Sequence, residues 1–461
     1  MPEVDLVVIG TGPGGESLAQ QAAEAGLSVV AVEKHLVGGE CPYYACVPTK
    51  IMVRGSDALA EAARLPQVGG EASVTPSWSR VAERIAEQAT DHWDDRVAVE
   101  RLEKAGATVV HGTGRLTGPR AVVVTRADAS EIAYDARVGV VLNPGTRPAA
   151  PPLPGLEGTP YWTNRDVVKA AAVPASLVVL GGGPIGCELA QVFARFGARV
   201  TIVQHADRLL ERDEPEASEL LRDALVGEGV RVLTGVSATG VSHADGRFEL
   251  SLDDGETLAA DRLLVAAGRT PNLDGLGLEA VGLSPDDLEV DARLRAGDGL
   301  WVIGDVVGEG AFTHVSMYQS TVALRDILGR EGPAASYRAV PHVTFTDPEV
   351  AGVGLTEAAA RDAGIDVAVG VTDLAASSRG FVHGPGAAGH VKVVADAAEG
   401  VLVGASVVGP AAGEIIGLLV LAVHARVPVA ELRSMIYAYP TFHRAIESAL
   451  AELPELPRTP V

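Results

Sequence analysis

The sequence predicts an α/β protein with two separate dinucleotide-binding βαβ units and a C-terminal α+β domain. Two observations carry this prediction. A glycine-rich turn between an apolar strand and a helix occurs twice, at Gly10–Gly15 (GTGPGG) and Gly181–Gly186 (GGGPIG), and each helix leads into a second strand. From about Pro341 the pattern changes to strand, helix, strands and helix.

The first unit reads as strand Asp5–Gly10, the turn, helix Glu16–Gly26 stopping at a glycine, and strand Ser28–Glu33. The second repeats this order with strand Ser176–Gly181, helix Cys187–Gly197 and strand Arg199–Gln204. In each turn the glycines have separate tasks. Gly10 and Gly181 make the tight turn, Gly12 and Gly183 let a pyrophosphate approach the backbone, and Gly15 and Gly186 let helix pack on strand. The helix N-terminus then offers unpaired N–H groups and its positive dipole end to the phosphates.

An acidic residue that accepts the ribose hydroxyls is expected about 20 residues after such a turn. Glu33 ends its strand at that place, and Gln204 is its counterpart in the second unit. Glutamine lacks the charge that would repel a 2′-phosphate, and His205 beside it can contact one, which favours NADPH over NADH. Arg208 and Arg212 follow, with Asp207 and Glu211 beside them. The alternative is that Gln204 simply hydrogen-bonds the ribose of NADH.

A proline-rich stretch, Thr146–Gly155, reads as a domain boundary. Beyond the second unit a helix is expected over Glu214–Leu225, then short strands and turns as far as Gly268.

Two of the three cysteines lie in CPYYAC, Cys41 to Cys46. Their spacing is too wide for a Cys-x-x-Cys metal knuckle and no second Cys or His pair is near, so no metal is expected. If the segment begins a helix, its dipole favours thiolate, and Lys50 falls one turn after Cys46 on the same face. Two buried, purely structural cysteines are the plainer alternative.

The chain of 461 residues carries a formal charge of −23 and a pI of about 4.9. Such a surface repels phosphate backbones and anionic lipid, which argues against nucleic-acid or membrane-surface binding. No signal peptide and no apolar run of about 20 residues is read, so a cytoplasmic protein is expected. There, a disulfide is more often catalytic than structural.

These motifs, in order GTGPGG, VEK, GGECPYYACVPTK, GGGPIGCELA, AAGRTPN, LWVIGDVV and FTDPEVAGVGLTE (Phe345–Glu357), resemble the FAD-dependent pyridine nucleotide–disulfide oxidoreductases across nearly the whole chain. That family includes dihydrolipoamide dehydrogenase, glutathione reductase and mercuric reductase. The resemblance implies two Rossmann-like domains and a dimerisation domain: residues 1–150 for FAD, 151–271 for NAD(P), 272–338 returning to the FAD domain, and 339–461 for dimerisation. It implies a homodimer whose active sites are shared between subunits.

It further implies that Gly10, Gly12, Gly14, Gly15 and Glu33 hold the ADP half of FAD and that Asp305 hydrogen-bonds the ribityl chain. Gly114 and Gly145 would pass close to FAD by backbone, with Phe312 and Thr313 also on the cofactor. Gly181, Gly183, Ile185, Gly186, Gln204, His205 and Gly268 would serve NAD(P)H. Lys50 would sit near flavin N5, paired with Glu188. Hydride would pass from NAD(P)H through flavin N5 to a Cys41–Cys46 redox disulfide, with Cys46 proximal and Cys41 exchanging with an external small-molecule acceptor. Cys187, just after Gly186, reads as a small packing residue.

Three departures matter. The family's Ala-Thr-Gly is Asn143-Pro144-Gly145 here. The residues between the redox cysteines, usually Leu or Val, Asn, Val and Gly, are bulkier through Pro42, Tyr43 and Tyr44, which could narrow access, stack on a flat substrate or simply pack. Disulfide reductases of the family end in His-Pro-Thr with a glutamate shortly after, whereas Tyr437–Leu450 puts Tyr439 at the histidine place and Arg444 at the glutamate place. A helix starting near Pro440 would set Tyr439, His443 and Glu447 on one face, making His443–Glu447 a displaced dyad or an ordinary surface pair. Soluble transhydrogenases share Tyr-Pro-Thr but lack part of the redox pair. Mercuric reductases use extra C-terminal cysteines, and none follows Cys187 here. The expected function is therefore NAD(P)H-dependent reduction through the cysteine pair to an atypical acceptor. The alternative is direct reduction by the flavin of quinones, or transhydrogenation, with dispensable cysteines.

Overall fold

A computed structural model describes residues 2–457; the outer limits of the first and last expected domains, residues 1 and 461, lie outside them. The chain divides into two compact units. The first comprises Met1–Thr49, Glu83–Ala149 and Arg269–Tyr337, and the second Lys50–Ala82, Ala150–Gly268 and Arg338–Val461.

The first unit is organised by β1 (Glu3–Ile9), which pairs in parallel with β2 (Val29–Glu33) on one side and with Glu131–Leu142 on the other. Leu6, Val7 and Val8 are all fully buried, as expected of a parallel strand covered on both faces. Alternation divides them. Leu6 and Val8 join Leu18, Ala19 and Ala22 of α1 (Pro13–Glu24) in one core, while Val7 and Ile9 join Leu116, Val122 and Val140 in the other. The sheet continues outward through Leu300–Val302, parallel to Glu131–Leu142, and through Thr108–His111 beyond β2. Helix α1 starts three residues before the expected Glu16, because Pro13 is preset for the first helical turn. The cysteine segment forms a single helical turn, α2 (Glu40–Tyr43), and then α3 (Cys46–Val68), in which the boundary between the units falls after Thr49.

The second unit holds the other parallel sheet, in the order Arg231–Thr234, Arg199–Gln204, Ser176–Leu180, Arg262–Val265, with helix Pro184–Arg195 opened by the second glycine turn. Strands Ala238–Ala244, Arg247–Leu252 and Thr257–Ala260 form an antiparallel meander. Its C-terminal part is a five-stranded antiparallel sheet of Pro341–Thr344, Glu349–Gly354, Val401–Gly409, His390–Asp396 and Val367–Asp373. Helix Ala412–His424 buries Ile415, Ile416 and Leu419 in the same core as Ala351, Val353 and Val407 of that sheet. The α/β and α+β reading of the sequence stands.

The boundary between the units after Ala149 falls inside the proline-rich Thr146–Gly155. There Thr146–Pro148 is a short strand paired antiparallel with Arg269–Pro271, with prolines tolerated because they sit at strand ends. One local expectation is corrected. No helix starts at Pro440. A 3₁₀ turn, Phe442–Arg444, precedes the helix Ala445–Ala451, and the Thr441 hydroxyl caps that turn by accepting from the Arg444 N–H at 3.2 Å. Among the described residues no helix is long and apolar enough to cross a membrane.

Candidate functional site

The first glycine turn is shaped by backbone collisions that only glycine avoids. A methyl on Gly10, whose φ is +91°, would strike the Asn143 carbonyl; one on Gly14 would strike Ser316, and one on Gly15 the Gly10 carbonyl. At Gly12 a methyl would only approach Asn143 Nδ2, at 3.4 Å, so this is where the loop leaves room beside its backbone. As the N-cap of α1, Gly12 brings no side chain to the first N–H groups. Buried Glu33 braces the loop: its Oε2 accepts from the Thr11 N–H at 2.8 Å and the Thr11 hydroxyl at 2.9 Å, and its Oε1 accepts from the His35 N–H at 2.8 Å. This open cradle at a helix N-terminus, with a carboxylate at the strand end, fits the ADP half of FAD.

Asn143 is buried and donates from Nδ2 to the Gly10 carbonyl at 3.2 Å, so the Asn-for-Ala departure adds a tie to the loop. Gly114 packs on Ile9, and Gly145 takes φ +64° with open space around it. Asp305 Oδ2 accepts from the Thr146 hydroxyl at 2.6 Å, and that oxygen accepts from Arg269 Nε at 2.6 Å. Phe312, half-buried, precedes the helix Thr313–Ile327 and stacks on His314 at 5.1 Å.

The second glycine turn repeats these collisions at Gly181 against Ala266 and at Gly186 against Gly181, while Gly183 has nothing within 4 Å. Gln204 is buried, and its Oε1 accepts from the Gly182 N–H at 2.9 Å. His205 is exposed, Ile185 is half-buried and Gly268 has φ +126°. Arg208 donates to the backbone carbonyls of Glu211 and Asp213. Open backbone at Gly183 beside a neutral Gln204 fits a nicotinamide dinucleotide. Cys187 is fully buried, and burial pushes its thiol well up, as suits a packing residue.

Cys41 lies in α2, and Cys46 opens α3 with its Sγ 3.4 Å from the Thr313 hydroxyl. Both cysteines are half-buried. Tyr43 is 6 % exposed, and burial, with Asp95, Glu16 and Asp94 nearby, raises its hydroxyl pKa to about 12. Its ring therefore packs rather than meeting a substrate; Tyr44 is half-buried beside it, ring centroids 6.3 Å apart.

In the second unit Lys50 Nζ meets Glu188 Oε2 at 2.5 Å, and Glu188 is 5 % exposed, so it is not a solvated helix residue. Phe345 touches both partners. Its N–H donates to Glu188 Oε1 at 2.9 Å, and its ring centroid lies 4.6 Å from Lys50 Nζ. The pair heads a polar seam. Asp57, a further two turns along α3, pairs with Arg195 at 2.8 Å, and Arg64 pairs with Asp347 at 2.5 Å. Arg195 also binds Glu228 and Asp347, and Gln191 receives the Asp347 N–H at 2.8 Å. The heptad spacing of Lys50, Asp57 and Arg64 and the i, i+3, i+7 spacing of Glu188, Gln191 and Arg195 were the signals for this seam, and sequence reasoning used neither. Thr11, Asn143 and Phe345 were also missed as site residues.

The displaced-dyad expectation fails. Glu447 pairs with Arg444 at 3.1 Å and not with His443, because the 3₁₀ turn rotates His443 toward the Tyr437 ring, 5.7 Å away. Tyr439 is 67 % exposed, with the Arg444 guanidinium 5.4 Å over its ring. Among the described residues no group of three or more metal-ligating side chains occurs.

The family model described as pyridine nucleotide-disulphide oxidoreductase matches residues 4–323, and its dimerisation-domain model matches residues 340–450. A mercuric reductase of Acidithiobacillus ferrooxidans is 34 % identical over 458 residues, covering 97 % of this chain and 82 % of its own length. A dihydrolipoyl dehydrogenase of Chlorobaculum tepidum is 34 % identical over 458 residues, covering 97 % and 96 %. Among solved structures, LpdA from Mycobacterium tuberculosis superposes with a TM-score of 0.87 at 26 % identity, over 97 % of this chain and 99 % of that one. The Cu(II) complex of the HOCl-induced flavoprotein disulfide reductase RclA from Escherichia coli gives 0.86 at 27 %, over 98 % and 99 %.

Proposed function

The chain belongs to the pyridine nucleotide–disulphide oxidoreductases, an FAD- and NAD(P)H-dependent enzyme family, and from that premise we propose that it reduces an atypical acceptor through Cys41 and Cys46. When bound, the cofactors supply hydride and electrons to the cysteine pair. In this reading residues 1–150 and 272–338 hold FAD, 151–271 hold NAD(P)H, and 339–461 dimerise. Gly10, Gly12, Gly14, Gly15, Glu33, Gly114, Gly145, Asp305, Phe312 and Thr313 serve FAD. Gly181, Gly183, Ile185, Gly186, Gln204, His205 and Gly268 serve NAD(P)H.

The chain's own chemistry begins with thiolate. Helix α3 turns its positive end to Cys46, and the Thr313 hydroxyl lies within reach of that sulfur. Lys50, fixed by Glu188 and Phe345, keeps an ammonium one turn further along the helix. With a disulfide acceptor, the Cys41 thiolate attacks one sulfur and releases the first thiol; the Cys46 thiolate then attacks the Cys41 sulfur of the mixed disulfide, releasing the second thiol and re-forming the Cys41–Cys46 disulfide. The observation that carries the atypical acceptor is Arg444 holding Glu447: among the described residues Glu447 does not pair with His443, and exposed Tyr439 offers a hydrogen bond instead of proton abstraction.

Anaerobic stopped-flow reduction by NADH and by NADPH tests this. Thiolate-to-flavin charge-transfer absorbance should appear and be lost in Cys46→Ser; identical spectra would sink the reading. An acceptor panel of small disulfides, quinones and thiophilic metal ions then identifies the class. The missing dyad also favours a second reading, direct reduction of quinones by the flavin. It predicts that Cys41→Ser leaves quinone turnover intact.

A further inference from the structure

Helix α2, which carries Cys41, is four residues long and too short to hold itself together. Its last carbonyl, that of Tyr43, has no partner inside the turn. The indole of Trp93 supplies one, with Nε1–H donating to Tyr43 O at 3.1 Å. At the other end of the same residue, the Tyr43 hydroxyl reaches the Asp94 carbonyl at 3.5 Å. Tyr43 is thus gripped at both ends by two consecutive residues of one segment.

That segment is unusual. Asp91, His92 and Trp93 have φ of +45°, +57° and +61°, three non-glycine residues in succession in left-handed backbone. Each such residue crowds its Cβ against the backbone, and the conformation persists only where surroundings fix it. Thr90 does so from below: its hydroxyl donates to the Ile85 carbonyl at 3.0 Å and accepts from the Trp93 N–H at 3.4 Å. The Asp94 N–H closes the turn on the Thr90 and Asp91 carbonyls, at 3.2 and 3.1 Å. The product of this backbone is the simultaneous delivery of an indole N–H and a carbonyl to Tyr43, two residues from Cys41.

We propose that the Thr90–Asp94 turn is a clamp that positions Cys41 through Tyr43, with Trp93 as the positioning residue that sets the reactivity of the outer cysteine relative to the inner one. This gives the tyrosine between the cysteines its task, as the handle of the clamp. The inference rests on the reading of Cys41 as the exchange cysteine, but its test does not require turnover.

The reduced FAD-bound protein is alkylated with iodoacetamide across a range of pH, and the rate at each cysteine is followed by peptide mass spectrometry. Trp93→Phe, which removes the N–H and keeps most of the ring, should change the Cys41 rate by about threefold or more while Cys46 stays near wild type, the size expected for one lost hydrogen bond. Trp93→Leu should change it at least as much. His92→Gly, which relieves a left-handed residue and leaves the indole contact, should leave both rates unchanged. An unaltered Cys41 rate in Trp93→Phe overturns the proposal. So does a parallel rise at Cys41, Cys46 and buried Cys187, which means general loosening, or an equal effect in His92→Gly. A failed charge-transfer experiment refutes the redox assignment and leaves these rates interpretable.

Discussion

Gln204 does for the second glycine loop what Glu33 does for the first: each side chain ends the second strand of its βαβ unit and accepts the N–H of the residue after the first glycine, Gly182 at 2.9 Å and Thr11 at 2.8 Å. The two differ in charge, not in the bond they make to the loop. Gln204→Glu should therefore keep the loop in place while adding a negative charge where a 2′-phosphate would lie. The ratio of kcat/KM for NADPH over NADH should fall by about tenfold. Steady-state kinetics with both nucleotides checks this, and an unchanged ratio removes Gln204 from specificity.

Phe345 supports the Lys50–Glu188 pair from two sides. Phe345→Leu keeps the amide bond and loses the ring beneath the ammonium, a contact of about 1 kcal/mol. Reduction by NAD(P)H should slow by about fivefold, and Lys50→Met should cost more. In a Lys50→Met background the Phe345 change should add nothing, so stopped-flow rates for the double-mutant cycle separate ring from fold.

Gly183 and Gly186 should separate binding from stability. Gly183 has open space, so Gly183→Ala should melt like wild type and bind NAD(P)H more weakly. A methyl on Gly186 collides with backbone, and Gly186→Ala should lose about 2 kcal/mol or more. Thermal melts with and without nucleotide read both outcomes.

His390 is 6 % exposed and its Nε2 makes no hydrogen bond among the described residues. Burial lowers its pKa from 6.5 to about 4, Glu216 opposing that shift and Lys392 adding to it. A depressed folded pKa means that its contribution to stability is present above pH 6.5 and is lost as pH falls toward 4. The loss amounts to about 3 kcal/mol. Melting temperatures of wild type and His390→Gln, compared at pH 7.5 and 4.5, should show a smaller drop in the variant.

In the proposed reading Tyr439 and Arg444 occupy the places of the family's acid–base pair. Tyr439→His with Arg444→Glu should raise turnover with a small dithiol or disulfide substrate by about tenfold or more, since a positioned general base contributes at least that much. A spectrophotometric assay with dihydrolipoamide and NAD⁺ tests it; no gain would place the specificity block elsewhere, with half-buried Tyr44 the next position to vary.

The glycine turns were legible because each glycine answers a collision that the topology forces, and the strand-end Glu33 and Gln204 follow at the distance one helix requires. Lys50 was legible through its spacing from Cys46. Asn143, Phe345 and Trp93 were not, since their partners lie far along the chain and an amide, a ring or an indole carries no periodic signal. The His443–Glu447 reading failed for a local reason: spacing of four marks a shared face only inside an α-helix, and Thr441 caps a tighter turn.

The pairing of Leu300–Val302 with Val140–Leu142 sets an order of events during synthesis. Strands β1, β2 and Glu131–Leu142 leave the ribosome early, yet their outer neighbour follows only after all of Ala150–Gly268 has been made. The parallel sheet between Ser176 and Val265 is complete within its own stretch and can form while the first still has an open edge. Until residue 302 emerges, Val140, Val141 and Leu142, fully buried in the folded chain, form an apolar margin without its outer neighbour.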